Sequence, residues 1–460
     1  MRSSCLLLLL AACSSSSSGD GPAPAPTDAP PDAPNAPPPP PSDLPTKDDL
    51  APLVAPLVDG GWIDGVAIGL VDPSGTAVYG FGPGAPDGDT ELEIGSLTKA
   101  MTGLWLVTEP GVSIDDDVQK YLPASVTVPT RSGKSITLGE LAAHTSGLPR
   151  VPTNLAPADP DDPYADYTVQ DLYAFLNAYS LPRDPGASWE YSNVGVGLLG
   201  HALTLHAGGT YEQGVTTRVL APLGMKDTAE TLSSAQRARL AKPHDGDLQP
   251  AEEWHATNAI EASGQLHSTP NDMLRWAAAA AGIGADALQS AIGVTQASHA
   301  KDDIGRAQGF GWVIESDGSL WHNGGTGGFS TYLGVDRKKH VGVVVLANTE
   351  CLKTTDLGAA ILATLRGTKV VRPQLPKAIA LTDDQLGAFV GSYAFAKYTM
   401  TVTLKDHALW ATSFASAPAR LYPEAASSFT LRVVDGTIAF DATSATVSLS
   451  GASAETGTKK

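Results

Sequence analysis

Cysteine is nearly absent from this chain, with three residues in 460. Cys5 and Cys13 stand close to the start, so only Cys351 falls where a folded domain is expected, and no disulfide framework can form there. Cys351 itself reads as a small buried hydrophobe rather than a reactive thiol. Positive charge is also scarce. Thirty Lys and Arg stand against 49 Asp and Glu, a formal net charge of -19, and no basic cluster interrupts that excess. A nucleic-acid partner is thereby disfavoured and none is expected, because such surfaces group their Lys and Arg. Long apolar runs are missing too: Leu6–Leu10 is far too short to span a bilayer, and no later segment does better. No Gly-x-Ser-x-Gly elbow occurs, which disfavours an α/β-hydrolase. The ten histidines lack metal-ligand spacing, so a zinc hydrolase is disfavoured and neither metal nor cofactor is expected. No internal repeat is present.

What is abundant is proline and small residues near the start. In "MRSSCLLLLLAACSSSSSGDG", Arg2 precedes the apolar Leu6–Leu10, and small residues lead to Cys13. This reads as a secretion signal over 1–12. Leu10-Ala11-Ala12-Cys13 resembles a bacterial lipobox, in which Cys13 would be lipidated and become the new N-terminus; an ordinary signal peptide cut nearby is the alternative. Residues 13–45, with Pro37–Pro41 in a row, cannot build a core and favour an extended tether. The expected location is the bacterial cell envelope, with the membrane contacted through lipid alone.

Folded sequence is expected over 46–372 and again over 381–455. The first block opens with a short helix at Leu50–Leu57 and then a hairpin around Asp72-Pro73-Ser74-Gly75. Helices follow at Thr137–Ala143, Val169–Tyr179, Asn193–His206, Gly214–Ala221 and Asn271–Ala281. Strands return at "GFGWVIES", "GSLWHNGG", "STYLGVDR" and "HVGVVVLAN". Strands at both ends with helices between imply an α+β fold: an antiparallel sheet, its two chain ends paired, flanked by helices and carrying a helical subdomain. In the second block Tyr398, Met400, Val402 and Leu404 alternate with threonines, which predicts a small all-β barrel or sandwich.

Three short motifs carry chemistry. Ser96-Leu97-Thr98-Lys99 opens an apolar helix, where Ser and Lys share a face and the helix start favours developing negative charge. A desolvated lysine there could act as a base. A second Ser-x-x-Lys, Ser298–Lys301, has no apolar helix behind it and reads as chance. Tyr191-Ser192-Asn193 stands at the mouth of another apolar helix. Capping accounts for Ser192 or Asn193 but not for Tyr191; a phenol near an ammonium is expected to have a lowered pKa and to relay protons. His322-Asn323-Gly324-Gly325 ends a strand and lets backbone approach a ligand closely. The other His-x-Gly copies read as a helix end (His206), a polar loop (His244) and a strand opening (His340).

In this order the three motifs resemble the serine β-lactamase and penicillin-binding-protein superfamily, in its class C β-lactamase, DD-peptidase and esterase-like branch. "LAAHTSGLP", "VLAPLGMKDT" and "ASGQLHSTPNDMLRW" resemble flanking strings of the same branch. The resemblance implies that Ser96 is an acylated nucleophile, Lys99 its base or the charge that tunes one, and Tyr191 a partner in proton transfer. It implies that Asn193 binds the substrate amide and helps to position Lys99. His322 would replace the third-motif lysine, Gly324 would belong to that substrate-binding strand, and the N–H groups of Ser96 and Gly325 would form an oxyanion hole. An imidazole should hold a substrate carboxylate less firmly than a fixed ammonium does. The resulting expectation is a serine hydrolase acting on an amide, ester or β-lactam, with peptidoglycan-type D-amino-acid peptides among its substrates. The alternative is a catalytically idle envelope protein that binds through the same cleft. The β block is expected to serve packing or access.

Overall fold

The computed structural model describes residues 44–368, 370, 375, 379–412, 418–432, 436–449 and 453–460. The expected signal, Cys13 and nearly all of the tether lie outside the described residues. Helix α1 (Lys47–Val58) starts on a capping box between Thr46 and Asp49 and buries Leu50, Leu53, Val54 and Leu57 along one face. It is longer than the Leu50–Leu57 helix expected, because the cap recruits the polar first turn.

Strands β1 (Val66–Asp72) and β2 (Gly75–Phe81) form the first hairpin. The Asp72 carboxylate accepts from the Ser74 and Gly75 N–H groups at 2.8 and 3.1 Å and so closes the turn. A two-stranded pair, β3 (Leu92–Glu93) and β4 (His267–Ser268), brackets the helical subdomain. The sheet resumes with β5 (Ala300–Lys301), β6 (Ala307–Gln308), β7 (Val313–Ile314), β8 (Leu320–Gly325), β9 (Ser330–Asp336) and β10 (Val341–Ala347). Its antiparallel order is β2-β1-β10-β9-β8-β7-β6-β5, so first and last strands pair as expected, Val66 opposite Ala347.

Both faces of the central strands are covered, which explains why β10 is apolar throughout. Val343 and Val345 pack with α1 and helix Lys353–Leu365, whereas Val344 and Leu346 join the core on the other side with helix Pro270–Ala280. Each such side chain contributes about 1.5–3 kcal/mol by leaving water. Between β3 and β4 lie helices α2 (Thr98–Thr108), α3 (Leu138–Ala142), α4 (Val169–Ala178) and α5 (Asn193–Ala207), centred on buried Trp105, Leu198 and Tyr211.

Two expectations need correction. The helix placed at Gly214–Ala221 is a chain of three pieces, Tyr211–Val215, a wide turn over Thr216–Leu220, and Ala221–Leu223. Its entry is set by a Thr210–Gln213 capping box. In "GFGWVIES" only Val313–Ile314 is strand. Gly311 has φ +73°, and a Cβ there would stand 2.5 Å from the Ala100 nitrogen, so this loop is shaped by packing on α2.

The last block is a closed eight-stranded barrel running from Gly391–Ala394 to Glu455–Lys459, which decides between barrel and sandwich. Its polar final strand passes the expected end at 455. Tyr393, Met400, Val402, Leu409, Phe429 and Phe440 fill the interior. Arg432 ties the barrel to the main domain. Its guanidinium lies 3.7 Å from the Tyr422 ring and 4.6 Å from Trp62, and it donates to the Gly60 and Gly61 carbonyls. Tyr422 donates to Asp247. No helix among the described residues is long and apolar enough to cross a membrane.

Candidate active site

Strand β3 ends at Glu93, and Ile94 continues the ladder by donating to the Leu266 carbonyl at 3.0 Å. Gly95 then takes φ +51°, a left-handed conformation that turns the chain sharply into a short 3₁₀ turn over Gly95–Leu97 and on into α2. Ser96 therefore stands at the entry of a core helix, with Lys99 one turn further on the same face. Lys99 Nζ lies 2.8 Å from Ser96 Oγ and donates to the Ser263 carbonyl at 2.5 Å. Lys99 is 2% exposed. Burial, with the Arg150 charge second, holds its ammonium well below the usual lysine range. The amine can thus stand neutral with a lone pair available to the serine proton.

Tyr191 reaches the same oxygen from the opposite side, its hydroxyl donating to Ser96 Oγ at 2.8 Å. Its ring rests on the His144 imidazole at 4.5 Å, with Lys99 Nζ and the Arg150 guanidinium each 4.9 Å from the ring centre. The expected lowering of this phenol's pKa is not found. Burial pushes it up to about 12, outweighing the Ser96 hydrogen bond and Arg150.

Ser192 caps α5: its Oγ accepts from Gly195 N at 2.9 Å and donates to the Pro149 carbonyl at 2.7 Å. Asn193 is held by its N–H on the Arg150 carbonyl at 2.8 Å, and its Nδ2 donates to Tyr164 at 3.4 Å. Its Oδ1 is buried without a hydrogen bond. Lys99 bonds to Ser263 rather than to Asn193, so a backbone carbonyl does the positioning expected of the asparagine.

His322 lies on β8 with Nδ1 donating to the Asn323 carbonyl at 2.6 Å. Burial, then the Lys99 charge, pulls its pKa down to about 4, so the ring is neutral at ordinary pH. Its centroid is 6.3 Å from that of Tyr191. Close backbone approach requires glycine on each side of this turn, at 324 and at 95. A Cβ on Gly324 would sit 2.2 Å from the Ile94 oxygen, and one on Gly95 would sit 2.7 Å from the Gly325 nitrogen. Ser96 and Gly325 thereby line one cleft, together with Asn193, Tyr164, Trp254 and Thr326. The structure thus brings Ser96, Lys99, Tyr191, Asn193, His322, Gly324 and Gly325 together from three distant segments.

The chance copy stays apart. Ser298 and Lys301 are exposed, in a loop and a two-residue strand, and share no helix. Four neighbours of the site escaped sequence reasoning. Ser263 acts through its carbonyl, and Arg150, Tyr164 and Trp254 come from loops without periodicity. His144 sits in "LAAHTSGLP", where the string was visible but its stacking under Tyr191 was not.

The Beta-lactamase family model matches residues 50–367. The chain is 33% identical over 314 residues to the D-alanyl-D-alanine-carboxypeptidase/endopeptidase AmpH of Escherichia coli K12, covering 62% of this chain and 80% of that one. Among solved structures it is similar to a beta-lactamase/D-alanine carboxypeptidase from Yersinia pestis, with TM-score 0.60, 26% identity, and 70% of this chain matched to 100% of that one. A class C beta-lactamase gives TM-score 0.60 at 23% identity over 70% of this chain and 97% of its own, a likeness of fold. With the motif geometry and the family match on the same stretch, the chain belongs to the beta-lactamase family and is a serine hydrolase.

Proposed function

We propose that this hydrolase cleaves amide bonds in peptidoglycan-type peptides ending in a D-amino acid, through an acyl-enzyme on Ser96. The observation that carries the reading is the Ser96 oxygen lying 2.8 Å from both Lys99 Nζ and Tyr191 OH. Ser96 Oγ attacks the carbonyl carbon while its proton passes to the neutral Lys99 amine. The N–H groups of Ser96 and Gly325 take the developing oxyanion. Asn193 Oδ1, buried and without a partner, accepts from the substrate amide N–H. Collapse breaks the C–N bond, and the departing amine receives its proton through Tyr191, which is replenished from Lys99. Water then attacks the ester by the same relay in reverse and frees the acid and the serine. The three groups titrate as a set rather than singly.

The printed activities of the Escherichia coli and Yersinia pestis relatives favour D-alanyl peptides. The neutral His322 favours weak β-lactam turnover, because no fixed ammonium stands there for the lactam carboxylate. Export and a lipid anchor on Cys13 complete the proposal, resting on the sequence before residue 44. The deciding experiment is a panel of D-alanyl peptides, p-nitrophenyl esters and a chromogenic cephalosporin on wild type and Ser96→Ala, with intact-mass detection of a fluorescent-penicillin adduct. Peptide release that survives Ser96→Ala would overturn the mechanism, and retention of label after Cys13→Ser in palmitate-fed cells would overturn the anchor.

A further inference from the structure

At the wall of the cleft beside Ser96, Glu93 belongs to a cluster that the acyl-transfer chemistry does not use. Glu93, the last residue of β3, stands directly opposite His267 of β4 in the strand register. Both are 3% exposed. Glu253 arrives from the loop that carries Trp254 into the cleft, and its side chain is 18% exposed. One ligand atom from each of the three lies within 4.8 Å of the other two.

Ordinary bonding leaves this cluster unfinished. Glu93 Oε1 accepts from the Trp254 N–H at 2.7 Å, and Glu253 Oε1 accepts from Arg237 at 2.7 Å. Glu93 Oε2 and both ring nitrogens of His267 have no hydrogen bond, although they are buried. A buried imidazole with neither nitrogen bonded is costly, on the order of 1–3 kcal/mol for each polar atom left bare. The ion-pair contacts of His267 with the two carboxylates are long and leave its ring nitrogens without a well-formed hydrogen bond. His267 Nε2 stands 3.5 Å from Glu253 Oε2 and 3.9 Å from Glu93 Oε1, beyond good hydrogen-bond length. Those separations suit a different occupant. Ligands at 2.0–2.1 Å around a tetrahedral zinc lie roughly 3.3 Å from one another, so a small side-chain rotation encloses an ion. One imidazole with two carboxylates suits zinc-type ions, whereas magnesium prefers six oxygens.

We propose that Glu93, Glu253 and His267 hold one divalent transition-metal ion of the zinc type, with the fourth position open to water. The ion fastens the loop of Trp254 to the strand that delivers Ser96, so it braces the cleft wall and takes no part in acyl transfer. The sequence could not show this, because the three ligands come from separate segments with no motif spacing.

The test uses tag-free full-length protein, stripped with EDTA and dialysed against zinc or cobalt(II), with bound metal measured by plasma mass spectrometry. Wild type should retain about one ion per chain, show visible cobalt(II) ligand-field bands, and melt higher with zinc than with EDTA. Glu253→Gln, at the partly exposed ligand, should keep the wild-type circular dichroism and lose at least about tenfold in zinc affinity. His267→Gln should lose the cobalt bands. Wild type that is folded by circular dichroism and holds no stoichiometric zinc would overturn the proposal. So would a folded Glu253→Gln that binds zinc as wild type does.

Discussion

Gly95→Ala should part the Ser96 turn from the strand on the far side of the cleft, and two costs of that change can be separated. The first is conformational: φ of +51° at residue 95 costs a residue bearing a Cβ roughly 1–2 kcal/mol. The second is contact. The new Cβ would stand 2.7 Å from Gly325 N and 3.0 Å from its oxygen. These are backbone atoms of a paired strand, Gly325 opposite Ser330, and cannot swing aside as a side chain would. Restoring ordinary contact at about 3.5–4.0 Å requires turn and strand to separate by roughly 1 Å. A displacement of that size at a reacting centre costs on the order of 100-fold in rate. Gly305→Ala supplies the control, because its φ is +87° and nothing lies within 4 Å of an added Cβ. The assay is the second-order rate of covalent labelling by a fluorescent penicillin or fluorophosphonate, read by intact mass beside a thermal melt. Gly305→Ala should lose a few degrees, Gly95→Ala more through the added contact, and only Gly95→Ala should lose about 100-fold in labelling. Equal labelling rates in the two variants would refute the argument that these glycines exist to close the cleft.

Lys99→Met should melt higher than wild type at pH 7, because a lysine whose folded pKa is depressed opposes folding wherever the unfolded chain holds the extra proton. The gap should shrink as pH rises toward about 10.4, where the unfolded lysine also loses its proton; a variant that melts lower throughout would contradict the burial argument. Tyr191→Phe should keep its melting temperature and lose about 10²–10⁴ in peptide turnover, read as kcat, since its hydroxyl donates to Ser96. His322→Asn should leave the shape of the labelling profile between about pH 5.5 and 8 unchanged, because the imidazole is already neutral there; loss of an inflection near the usual histidine value would show that it titrates. Arg432→Ala should weaken barrel docking by roughly 2–4 kcal/mol, seen in calorimetry as a barrel transition separating from the main one.

The paired chain ends, the helices between them and the barrel were legible because each rests on periodicity or turn chemistry. The capping boxes at Thr46 and Thr210 went unread, and those two helices start three residues earlier than expected. The β1–β10 pairing follows from two short apolar runs at opposite ends of one domain. The Gly309–Trp312 loop was misread as strand since an apolar Gly-Phe-Gly-Trp run looks extended until α2 is seen packed on Gly311. The motif residues of the site were legible for a different reason, the order and spacing of reactive side chains. What surrounds them was not. Ser263 contributes a carbonyl, which every residue owns, and Arg150 contributes a guanidinium 4.9 Å from Tyr191, which only the fold can place.

The sign of the Tyr191 shift shows where this site gets its poise. The expectation of an ammonium–phenolate couple treats Lys99 and Tyr191 as a charge pair that lowers the phenol. Burial acts first on both, driving the lysine down and the tyrosine up, so each favours its neutral form. A neutral amine accepts a proton and a neutral phenol donates one, and both stand 2.8 Å from the same oxygen. The serine is therefore flanked by a base and an acid without any buried charge needing a partner. Of the two hydrogens the buried amine keeps, the Ser263 carbonyl takes one. It follows that water, more than any single charge, sets the activity: a substitution that opens this pocket to solvent would return the proton to Lys99 and silence Ser96 while every motif residue stayed in place.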